Sequence, residues 1–150
     1  MISLGILSDI EIEQRIKDGS LVIAPFDSNS LNGAGYDLRL IERIAIQPRQ
    51  HILAGTLERV ELGEDLVGTL HIRSSLARSG VIASLALVDP GFRGQLTILL
   101  YNAGEKAFAM NQNDKFLQIV IHQLSIKTHR PYHGRYQDSQ GIVDSRLSTP

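Results

Sequence analysis

The residues best suited to chemistry stand in two short runs. Arg73-Ser74-Ser75-Leu76-Ala77-Arg78-Ser79-Gly80 places two guanidiniums and adjacent hydroxyls at the opening of a short helical turn. Unpaired N–H groups there favour an anion, and arginine adds a bidentate fork for phosphate oxygens. The run reads equally well as a solvated, capped helix. The second run, Asp89-Pro90-Gly91-Phe92-Arg93-Gly94, follows an apolar stretch over residues 81–88. Asp89 is the one acid flush with the end of that stretch. An ionised carboxylate can align a water or accept its proton. Taken alone, the run reads first as an Asx turn.

Other groupings offer less. Gly33-Ala34-Gly35 has the glycines of a phosphate loop, but no Gly-Lys-Ser/Thr follows and the next residues alternate like a strand, so a tight turn is expected. Of His51, His71, His122, His129 and His133, only the last two fall within one helical turn. Pro131 precedes His133 and breaks a helix, so no metal site is expected there. The chain has no cysteine, which excludes disulfides, thiolate zinc sites and a cysteine nucleophile.

These runs need a scaffold. Ser8 stands three residues before Glu11, a capping box, with Asp9 and Glu11 in the first turn. Ile12 and Ile16 share a face, and Gly19 sits where a C-cap belongs, so a helix over Asp9–Asp18 is predicted. The pattern then becomes strand-like. Strands are expected at 21–23, at Tyr36, Leu38 and Leu40, and at 43–46, 51–62, 66–72, 81–88, 95–101, 106–110 and 116–124. Turn residues separate them. Many short strands at this spacing predict an antiparallel sandwich, jelly roll or barrel. One further helical stretch, 74–79, ends at Gly80. From His129 the apolar pattern stops, and residues 132–150 have the composition of a mobile tail.

Composition bounds the function. The chain has 150 residues, 43% apolar and 21% charged, which predicts a single globular domain over 1–150. A net charge of -1 provides no basic field for nucleic acid or a membrane surface. Aromatic content of 5% without tryptophan argues against a base-stacking platform. No run is long and apolar enough for a membrane span, and Asp9 and Glu11 interrupt the opening segment too early for a signal peptide. A cytoplasmic address is expected.

Assembled in order, these segments resemble the trimeric dCTP deaminase and dUTPase superfamily. The N-terminal Leu7-Ser8-Asp9 helix and the stretch from Gly19 to Phe26 look like the deaminase leader. Gly35-Tyr36-Asp37-Leu38-Arg39, Arg73 to Arg78, Val88 to Gly94 and Asn113-Asp114-Lys115-Phe116-Leu117-Gln118 look like the four shared motifs. Arg135-Tyr136-Gln137 through Gly141 to Ser145-Arg146-Leu147 looks like the deaminase tail.

The resemblance implies an all-β, jelly-roll-like barrel with one short N-terminal helix, assembling as a homotrimer around a deoxynucleoside triphosphate and Mg²⁺. Deaminases of this superfamily carry a proton-shuttling Glu before the Asn that Asn102 matches. That position is Leu99, in Thr97-Ile98-Leu99-Leu100-Tyr101-Asn102. Leucine has no proton to move, and loss of a general acid–base costs roughly 10²–10⁴-fold in rate. The branch implied is therefore dUTPase, with dUMP and pyrophosphate as products and Asp89 orienting the water that attacks the α-phosphorus.

By the same resemblance Arg73 and Ser74 hold phosphate oxygens, Gln118 supplies another polar contact, and Ser75 and Arg78 join the substrate-binding set. Phe92 lies under the deoxyribose, and backbone around Ala86 and Val88 reads the uracil edge. Arg135, Tyr136 and Arg146 belong to a mobile lid over 132–150. Mg²⁺ is held mainly through the triphosphate. Arg78 matches an arginine that deaminases keep near their catalytic water. A dCTP deaminase, a bifunctional dCTP deaminase/dUTPase and a non-catalytic deoxynucleotide-binding regulator stand as alternatives.

Overall fold

The computed structural model describes residues 5–147. Its elements run α1 (Asp9–Asp18), β1 (Leu21–Ala24), a 3₁₀ turn (Ser28–Ser30), β2 (Leu31–Asn32), β3 (Gly35–Arg39), β4 (Ile44–Ile46), β5 (His51–Leu62), β6 (Leu66–Ile72), α2 (Ser74–Arg78), β7 (Val81–Ser84), β8 (Arg93–Asn102), β9 (Phe108–Met110) and β10 (Lys115–Gln123). The α1 capping box forms as its sequence dictates, with the Ser8 side chain and Glu11 satisfying each other's backbone N–H groups. Gly19 closes α1 in the left-handed conformation, φ 80°.

The strands form two four-stranded antiparallel sheets, ordered β1-β5-β8-β7 and β2-β3-β10-β6, with β4 and β9 pairing as a ribbon. Both sheets contribute rows to one core: Val60, Ile98 and Leu100 from the first, Tyr36, Leu38, Ile119 and Leu70 from the second. The expected jelly-roll-like, all-β architecture is present. The expected barrel is not closed, because the described strands stop at two separate sheets.

The predicted strand over 81–88 also needs correction. Regular pairing ends at Ser84. Val88 instead exchanges two 2.9 Å hydrogen bonds with Gly68 of β6, in the opposite sheet. The chain is leaving one sheet for the other, so residues 85–87 form an arm between them, and Ile82, Leu85 and Leu87 are exposed.

A bulge in β5 creates the principal buried charge. Pairing with β8 shifts register between Gly55 and Arg59, which turns Glu58 into the protein, fully buried. Its carboxylate accepts from Arg39 N (2.8 Å), Arg39 Nε (2.7 Å) and the Tyr36 hydroxyl (3.4 Å). Burial pushes the Tyr36 phenol above its ordinary pKa, and the hydrogen bond to Glu58 raises the Arg39 guanidinium.

Candidate functional site

Asp89 opens onto a cavity of about 510 Å³ between the 84–89 arm, the outer row of β8 and the C-terminal segment. Residues alternate across a strand, so Gln95, Thr97 and Leu99 share one row facing the cavity. In register Leu99 stands between Leu53 of β5 and Ser84 of β7. Phe92 is buried beneath the Asp89 turn and meets Tyr132 edge-on, with ring centroids 5.5 Å apart. Among the described residues lining the cavity, Asp89 is the one carboxylate. Its side chain is exposed and has no hydrogen bond or ion pair among the described residues.

The C-terminal segment closes one side. Tyr132 N donates to Pro90 O (2.8 Å), Asp138 N to Arg93 O (2.8 Å), and Ser139 bridges Gly94 in parallel. Gln137 joins the same seam, accepting from Arg93 N (2.8 Å) and donating to Gly91 O (2.8 Å). Asp138 lies between Arg93 (3.0 Å) and Arg59 (2.8 Å). Hydrogen bonds from Arg93 and then Arg59 pull its carboxyl down to about 2.

The predicted site residues fall into three groups, with Tyr136 shared by two of them. Asp89, Ala86, Val88, Phe92 and Tyr136 line the cavity. Arg73, Ser74, Ser75, Arg78 and Gln118 do not. They belong to the other sheet and the α2 turn that follows it. There Arg73 Nη1 lies 3.2 Å from Asp37 Oδ2, and Asp37 pairs in register with Gln118. Ser74, Ser75 and Arg78 are exposed on α2.

Arg135, Tyr136 and Arg146 meet one another. Arg146 N donates to the Tyr136 hydroxyl (3.0 Å), Arg135 Nη1 donates to Arg146 O (2.9 Å), and the Arg146 guanidinium lies 5.7 Å from the Tyr136 ring centre. Arg146 Nη1 also donates to Arg135 O. Residues 148–150 of the predicted lid lie outside the described residues.

Sequence reasoning did not assign Gln95, Thr97, Ser84, Tyr132, Ser139, Val143 or Ser145 to the site. The period-2 alternation of β8 carried a signal for Gln95 and Thr97, since both share the Leu99 face. Nothing in a Gly- and Ser-rich tail could have told which residues reach the cavity.

The dCTP deaminase-like family matches residues 41–124. A protein of Pyrococcus abyssi named dCTP deaminase is 42% identical over 143 residues, spanning 85% of this chain and 93% of the relative. A probable deoxyuridine 5'-triphosphate nucleotidohydrolase of Sulfolobus islandicus rod-shaped virus 1 is 30% identical, spanning 92% of this chain and 96% of the relative.

Among solved structures, the 2'-deoxycytidine 5'-triphosphate deaminase of Agrobacterium tumefaciens superposes with a TM-score of 0.71 at 15% identity, covering 81% of this chain and 49% of that one. The dUTPase of Staphylococcus bacteriophage 80alpha superposes at 0.60 and 17% identity, covering 77% and 97%. These two likenesses speak to fold alone. The relatives in sequence carry the assignment: the chain belongs to the dCTP deaminase-like family.

Proposed function

We propose that the protein hydrolyses dUTP to dUMP and pyrophosphate. The observation that carries this reading is Leu99, held between Leu53 and Ser84 on the wall of a cavity whose one carboxylate among the described lining residues is Asp89. A cytosine amine cannot leave without a group that moves protons at the ring, and leucine moves none. Hydrolysis asks less of the protein: a positioned water and neutralised phosphates.

Asp89 holds the water and takes its proton as the oxygen bonds to the α-phosphorus. The bond from that phosphorus to the bridging oxygen breaks, and pyrophosphate leaves with the electron pair. Phe92 walls the deoxyribose, and the backbone around Ala86 and Val88 reads the base edge. Uracil presents O4 as an acceptor and N3–H as a donor, opposite to cytosine, so fixed backbone groups discriminate between them.

Arg73 and Ser74 of a second copy of the chain bind the phosphates, with Ser75 and Gln118 as further substrate contacts, completing the site in a homotrimer. Their absence from the cavity of their own chain supports that division. The tail over 132–150 is the lid, with Arg135, Tyr136 and Arg146 in it. Mg²⁺ would be held mainly through the triphosphate, whose charge it would help neutralise. The described residues include no group of three or more His, Asp or Glu placed to hold the ion by themselves.

A second reading, deamination of dCTP, is favoured by the names of the relatives near 42% identity and by Arg78. Incubation with Mg²⁺ and either nucleotide, followed by chromatography, separates the two readings. The expected result is dUMP from dUTP and unchanged dCTP. Conversion of dCTP would overturn the assignment, and inertness of both would leave nucleotide binding without turnover as the function.

A further inference from the structure

We propose that residues 137–143 are a fixed strap docked on their own chain, with Gln95 and Thr97 as positioning residues that set where Tyr136 and Ser145 stand over the cavity. This deepens the lid reading above and rests on it: within that segment, residues 137–143 stay docked.

The polar atoms of Gln95 are committed. Its Nε2 donates to Thr56 O (3.1 Å) and Leu57 O (2.9 Å) on the β5 bulge, while Oε1 accepts from Gly141 N (2.6 Å). Two residues along the same row, Thr97 Oγ1 accepts from Val143 N (3.0 Å). The cavity-facing row of β8 therefore continues through its side chains the seam that the backbone begins at Gly94 and Ser139.

Missing side chains make the track. A Cβ on Gly91 would stand 2.7 Å from Pro131 Cβ, one on Gly94 2.9 Å from Ser139 N, and one on Gly55 2.8 Å from Ile142 Cγ1. Gly91 and Gly94 have positive φ, which alone explains glycine there. The φ of Gly55 is not positive, so its glycine is explained by space: Ile142 on one side and Ile41 on the other occupy the place of a side chain. Asp138 adds the ion pairs to Arg59 and Arg93.

Hydrogen exchange on the nucleotide-free protein tests the strap directly. The amides of Gly141 and Val143 are expected to exchange at least about tenfold more slowly than those of Asp144 and Ser145. Equal rates would overturn the strap, whatever the enzyme's substrate. Thr97→Val should release Val143 selectively and raise KM for dUTP several-fold more than it lowers kcat, and Thr97→Ser, which keeps the acceptor, should restore both. Gly55→Ala should speed exchange at residues 141–143 while β8 keeps its protection. Unchanged KM in Thr97→Val would remove the positioning role. Slow strap exchange in a protein that converts neither nucleotide would uphold the docking and overturn the functional reading instead.

Discussion

Asp89 and Leu99 face one cavity and make opposite demands on its chemistry. Asp89→Asn keeps the size of the side chain and removes its capacity to take a proton. Turnover of dUTP is expected to fall roughly 10²–10⁴-fold, with nucleotide affinity by calorimetry within a few-fold of wild type. Unaltered turnover would take Asp89 out of the mechanism. Leu99→Glu tests the complementary point. The new acid would stand between Leu53 and Ser84, where partial burial should cost about 1–3 kcal/mol of stability. Trace release of ammonia from dCTP is the expected gain. Asp89 stood out in the sequence as the acid at the end of an apolar stretch, whereas Leu99 was singled out only by the superfamily resemblance, counted back from Asn102.

At the scale of elements, the bulge in β5 ties two features together. It buries Glu58 against Arg39 and presents the Thr56 and Leu57 carbonyls to Gln95. Glu58→Ala leaves the Arg39 guanidinium poorly compensated, and chemical denaturation should register a loss of about 3–5 kcal/mol. Sequence reading recovered the strand and missed the bulge. Residues 51–62 contain β-favouring residues on both sides of the bulge, and the partner strand reveals where the register slips.

Helix α1 was fully legible because capping box and C-cap glycine are local signals. The end of β7 was not, because Val88 is captured by a distant strand. The Asp138 latch carries a pH signature. Its folded pKa, about 2, lies below the ordinary 3.8. Its contribution is therefore complete above about pH 4 and lost as pH falls through 2. Carboxyl NMR of Asp138 should titrate at that low value, rising toward the ordinary one in Arg93→Ala.

For the whole molecule, the separation of the Arg73 group from the Asp89 cavity makes a test that needs no structure of the assembly. Arg73→Ala and Asp89→Asn should each be nearly inactive alone. Mixed by co-refolding in equal amounts, they should regain about a quarter of wild-type activity, because one site in four draws both intact halves from different copies. No recovery would confine the site to one chain. Strand spacing narrowed the fold to an antiparallel sandwich, jelly roll or barrel, and the superfamily resemblance selected the jelly roll. The placement of the Arg73 group away from the Asp89 cavity was not legible, since spacing along the chain carries no information about which surface a residue reaches.

The arm between the sheets bears on how the protein should be handled. A solitary chain leaves Leu87, which lines the cavity that Asp89 opens onto, 57% exposed, and Ile82 of β7 58% exposed. If copies cover that surface, apparent stability follows mass action: the melting temperature should climb with protein concentration, and specific activity should decay on dilution below the dissociation constant of the assembly. Assays run at nanomolar enzyme would then under-report the catalyst, and rates measured across a dilution series would measure its cohesion.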